Sequence, residues 1–112
     1  MKYFLSALVL SLALVNAAAH AASVTIPFQN WQLTFTDVKC TDKDILTIFE
    51  MIDLRPELKD KIYAGSLKGP GHEKGLKLCY VVAPEDTSQV LIVDATGDAG
   101  VINVGSKKLP GI

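Results

Sequence analysis

LKLCYVVA, residues 76–83, decides the fold, because apolar side chains fall on both faces of this stretch when it is extended. A strand with one wet face alternates apolar and polar residues. A run without that alternation must be covered on both sides, so it belongs in the middle of a sheet. QVLIVDA (89–95) has the same character, and GVINV (100–104) follows it closely. Upstream, KIYAGSL (61–67) is a further strand, weakened by Gly65. Near the start, VTIPF (24–28) sets Val24, Ile26 and Phe28 on one side. NWQLTFTDV (30–38) sets Trp31, Leu33 and Phe35 against Gln32, Thr34 and Thr36. Both are half-buried strands by their period of two. Pro27 cannot donate to a ladder, which places the first strand at an edge, and Gln29-Asn30 predicts a tight turn between the pair.

One segment breaks this pattern. In CTDKDILTIFEMIDLRPELKDKI (40–62), Ile45, Ile48, Phe49 and Ile52 recur at i, i+3, i+4 and i+7, while Asp44, Thr47, Glu50 and Asp53 face away. That is an amphipathic helix laid on a core. Thr41 or Asp42 supplies its N-cap, and the acidic first turn suits the helix dipole. Pro56 ends it near Leu54 and opens a further short turn. The connections KGPGHEKG (68–75), PEDTSQ (84–89) and TGDAG (96–100) carry turn chemistry, and short connections imply antiparallel neighbours. The expected fold class is therefore α+β: an antiparallel sheet of about five strands, one main amphipathic helix packed on one face, and a single disulfide. GSKKLPGI (105–112) reads as a frayed end.

The N-terminus predicts where the protein works. Lys2 precedes a 12-residue apolar run, Phe4–Val15, and Ala19-His20-Ala21 supplies the small residues of a cleavage site. This is the pattern of a secretory signal peptide, too short to span a bilayer as a retained helix. Residues 1–21 are read as the cleavable leader and 22–112 as one small domain. No cysteine stands at the leader's end to carry a lipid, so no membrane anchor is expected after cleavage. The Ala-rich style of the leader suggests a bacterial exporter and a periplasmic or secreted product. Cleavage removes 21 of 112 residues and leaves 91. Ten Lys and Arg then stand against twelve Asp and Glu, a net charge of −2. No nucleic-acid partner is expected for such a chain, since phosphate binding needs a clustered basic surface.

Two cysteines remain, Cys40 and Cys79. In an oxidising compartment a single internal bond is the default. It would staple the start of the helix to the central strand, and by alternation the helix covers the face that Cys79 shares with Val81 and Ala83. Redox-active pairs usually lie closer together in sequence, and two cysteines with one distant histidine make a poor zinc site. The sequence carries no phosphate loop and no nucleophile–base constellation, so neither a metal nor a cofactor is expected.

Function follows by exclusion. Small stapled exported domains act largely by surface complementarity. The first expectation is a non-catalytic module that binds another extracytoplasmic protein, as an inhibitor or an immunity-type protein would. Its contacts are expected in the loops 68–75 and 95–100: His72, Glu73, Lys74, Asp94 and Asp98. The alternatives are a small exported enzyme using the loop carboxylates Asp94 and Asp98, or a binder of a small apolar ligand held between helix and sheet. Trp31, the only tryptophan, is read mainly as core.

Overall fold

All six apolar runs become strands, one more than the sheet of about five expected from sequence. The computed structural model describes residues 22–112; the leader assigned to 1–21 lies outside the described residues. The strands are β1 (Ser23–Phe28), β2 (Trp31–Lys39), β3 (Tyr63–Gly69), β4 (His72–Val82), β5 (Gln89–Asp94) and β6 (Ala99–Asn103). They form one antiparallel sheet in the order β1-β2-β3-β4-β5-β6. This simple meander follows from the short turns, each of which returns the chain beside the strand it has just left.

The helix α1 (Lys43–Met51) sits between β2 and β3, followed by a 3-10 turn at Pro56–Leu58. Asp42 caps it: Ile45 N–H donates to Asp42 Oδ1 at 3.1 Å. The helix is short and covers only part of one face. There Ile45 and Phe49 pack with Leu58, Ile62, Val81, Val93 and the two cysteines. Cys40 and Cys79 are bonded, with Cα atoms 5.9 Å apart. Cys79 and Val81 do lie beneath the helix, as the alternation required.

The opposite face buries the larger side chains. Leu33, Phe35, Leu78, Tyr80, Val82, Val90 and Ile92 form its core, and Val24, Ile26, Trp31, Leu67 and Ile102 pack around them. Among the described residues no helix covers this face. The sheet curls instead, so that Val24 and Ile26 of β1 and Ile102 of β6, from its two edges, pack on one shared core. This matches the right-handed twist that accumulates across strands. β4 is the central strand in the full sense, with Leu78 to Val82 buried on both faces.

The tail is not frayed. Val104 is buried and Leu109 is 2% exposed within the concave core. Gly111 N–H donates to Tyr80 Oη at 2.9 Å, and Tyr80 Oη donates to Thr36 O at 2.6 Å. The segment after β6 thus plugs the end of the curl where Tyr63, Tyr80 and Val82 lie. One leucine in a turn-rich octapeptide has no periodicity to announce its burial, which is why sequence reading missed it. Among the described residues no helix is long and apolar enough to cross a membrane.

Candidate functional site

A meander places alternate turns at the same end of the sheet. The β1–β2, β3–β4 and β5–β6 turns therefore gather at the end away from the tail. There the concave face stays open, forming a cleft of about 430 Å3. Phe28, Trp31 and Leu33 line it from the first hairpin, Leu67, His72 and Leu76 from the second, and Ile92, Asp94, Asp98, Gly100 and Ile102 from the third.

The stretch KGPGHEKG is not the mobile loop its glycines suggest. β3 runs to Gly69 and β4 starts at His72, so only Pro70-Gly71 turns. Proline presets its own φ and Gly71 adopts φ +84°, which is the chemistry of a type II turn. Glu73 Oε2 accepts from Gly71 N–H at 3.0 Å and fastens the turn. A bond from its own backbone N–H, together with the one from Gly71, holds the Glu73 carboxyl below its ordinary value. The register is irregular here, with Leu67 opposite Leu76 but Gly69 opposite His72. The extra β4 residues are absorbed as a bulge. His72 and Leu76 both line the cleft, whereas Glu73 and Lys74 do not.

His72 is therefore positioned. Its ring stacks on Trp31, centroids 6.0 Å apart and planes 29° apart. Trp31 is half-buried, so it serves both the core and one wall of the cleft. Gly69 makes room for it, since a Cβ there would stand 2.3 Å from Trp31 Cε3.

Asp94 and Asp98 meet in the same cleft, yet they do different work. Asp94 Oδ1 accepts from Thr96 N–H (2.8 Å), Thr96 Oγ1 (2.5 Å) and Asp98 N–H (3.1 Å). This is an Asx turn that shapes the β5–β6 hairpin. The Asp98 carboxylate makes no hydrogen bond among the described residues. Neither aspartate is paired with a cation there; the ion pairs present join Arg55 to Glu57 and Glu85. All three hydrogen bonds of the Asx turn fall on Asp94 Oδ1, so one oxygen of that carboxylate is taken up by its own turn. Also among the described residues, no cluster of three or more His, Cys, Asp or Glu side chains could hold a metal ion.

Of the five residues expected from sequence to touch a partner, His72, Asp94 and Asp98 line the cleft and Glu73 and Lys74 do not, while its apolar wall, Phe28, Leu67, Leu76 and Ile102, was not singled out. Alternation placed Phe28 and Trp31 on one face of their strands. It carried no signal that the sheet would curl and bring that face opposite Ile102. Between helix and sheet, where an apolar ligand was one expectation, Ile45, Phe49, Leu58, Val81 and Val93 pack together, and a cleft of about 350 Å3 opens beside them, lined by Ile52, Leu54, Leu58, Val81 and Leu91. The cleft at the three turns lies on the other face.

Compared with known proteins, the chain matches no family model, no curated protein and no solved structure.

Proposed function

We propose that this chain is an exported, non-catalytic module that binds another protein outside the cytoplasm, in the manner of an inhibitor or an immunity protein. The observation that supports this reading is the gathering of three hairpin turns around one open, apolar cleft. A partner's protruding side chain is received where aromatic and aliphatic groups stand ready. Phe28 is 38% exposed at its lip. Interfaces draw most of their binding energy from such central aromatic anchors, surrounded by a polar rim. The disulfide supports the exported setting, since such bonds persist in oxidising compartments.

The test is capture in the source organism. The full chain carries an affinity tag after Ile112, which is 57% exposed, and companions are identified by mass spectrometry under oxidising conditions. A recurrent stoichiometric protein, lost with Phe28→Ala and retained with Met51→Ala on the helix side, is the expected result. A second reading, an amphipathic small molecule in the cleft, is favoured by its volume, which falls within the range of ligand sites, about 300–1,000 Å3. A ligand of constant mass in native mass spectra, with no protein companion, would decide for it.

A further inference from the structure

We infer that the partner adds an extended strand to the outer edge of β6, dropping apolar side chains into the cleft and a Lys or Arg beside Asp98. This rests on the protein-binding reading and names the partner's chemistry. Four observations converge on it.

The first concerns the edge. Asp94 N–H donates to Asp98 O, and Val104 N–H donates to Ser88 O. With Ile92 opposite Gly100 and Val90 opposite Ile102, the backbones of Asp98, Gly100, Ile102 and Val104 turn toward β5. Antiparallel ladders alternate, so Ala99, Val101 and Asn103 present their N–H and C=O groups outward. No strand covers them among the described residues.

The second concerns protection. Free edges usually carry a proline, a lysine or an inward charge that blocks further pairing. β1, the other edge, has Pro27. β6 reads AGVIN, with no proline and no charge, and Val101 is 63% exposed.

The third is the floor. Gly100 and Ile102 line the cleft, and a Cβ built on Gly100 would meet nothing within 4 Å. That empty position lies at the strand bordering the cleft, where a neighbouring strand would place a side chain of its own. Strand addition works in this way: main-chain bonds supply affinity, and pockets for alternate side chains supply specificity.

The fourth is charge. The acidic side chains lining the cleft are Asp94 and Asp98, and no Lys or Arg lines it. An antiparallel partner passes Ile102, then Gly100, then Asp98. Its sequence is therefore apolar, any, apolar, any, basic. A second copy of this chain fits poorly, because β6 carries no cation to set against Asp98.

The test uses the oxidised full chain and synthetic peptides. One peptide alternates leucine with threonine and ends in arginine. The second replaces the arginine with glutamate, and the third is the arginine peptide N-methylated on alternate amides. Binding is read by calorimetry, and amide exchange at Ala99, Val101 and Asn103 by NMR. The arginine peptide is expected to bind and slow exchange at Val101 and Asn103. The glutamate peptide should bind about fivefold more weakly, and the N-methylated one about tenfold or more. Asp98→Asn should erase the preference for arginine, and Val101→Pro should cost about tenfold. No binding at about 1 mM, binding without protection of those amides, or equal binding of the glutamate peptide overturns the inference. Self-association that protects the same amides without peptide overturns it in favour of a second copy. If the peptides fail while Phe28→Ala still releases a captured companion, this inference falls and the protein-binding reading stands; if both fail, both fall.

Discussion

Replacing both cysteines, Cys40→Ala with Cys79→Ala, tests the physical argument that holds this small domain together. The bond closes a loop with a sequence separation of 39. In the chain-entropy treatment, closing a loop of that length removes about 13 cal/mol/K from the unfolded ensemble, or about 4 kcal/mol at 25 °C. The whole stability of a domain this size is about 5–15 kcal/mol, so the bond is a large share of it. Both cysteines are buried, at 8% and 2% exposure, and the lost sulfur packing adds to the destabilisation. Urea unfolding followed by the Trp31 fluorescence, with and without the bond, measures the difference. The expected result is a loss of at least about 3 kcal/mol. The urea slope should rise, because an uncross-linked unfolded chain exposes more surface. The thermal midpoint should fall by roughly 20 °C. The loss should concentrate on α1, whose amides should exchange before those of β4. A loss under about 1 kcal/mol, with an unchanged slope, would refute the reasoning.

Tyr80 yields a pH prediction. Burial pushes its phenol up to about 12, against an ordinary value near 10. The neutral phenol is thus the folded form, and the unfolded chain releases the proton first. Stability should hold below pH 10 and decline from about pH 10 to 12, by up to about 2–3 kcal/mol; in Tyr80→Phe this component should be absent from the alkaline unfolding profile. The same variant leaves the Gly111 N–H without its acceptor and should cost about 1–3 kcal/mol in denaturant unfolding at neutral pH. Leu109→Ala should cost about 2–4 kcal/mol by the same assay, whereas a frayed tail would cost nothing. Gln29→Gly should raise stability by about 0.5–1 kcal/mol in thermal melts, because Gln29 holds φ 55° in the β1–β2 turn. Gly69→Ala should drive the Trp31 ring out of place, costing about 1–3 kcal/mol and shifting its fluorescence.

Period and punctuation made much of the fold legible. The repeat of two in 24–38 and the doubly apolar runs at 76–83 and 89–95 specified strands. The 3.6-residue stripe from Ile45 to Ile52 specified the helix, because each is a property of neighbours along the chain. The cysteine pairing was legible for a simpler reason, there being a single pair outside the leader. Within the site, His72, Asp94 and Asp98 stood out as polar groups in turn-like stretches, and all three reach the cleft. Yet the reading mistook a two-residue turn flanked by strands for a loop, since glycine and proline mark both.

The curl was decided only in three dimensions. Strand twist accumulates across the whole sheet, and no local pattern records whether the edge residues Phe28 and Ile102 will come to face one another. The same holds for Leu109 and Gly111, which are buried because the concave end near Tyr80 has room for them. It holds too for Asp94 and Asp98, alike in sequence, of which one is bound by its own turn and the other left open. Local order follows from short-range sterics and period, so the chain alone determines it. Which faces close, and which stay open as a cleft, depends on bringing together residues 70 or more positions apart, such as Phe28 and Ile102, which line one cleft only once the sheet has formed.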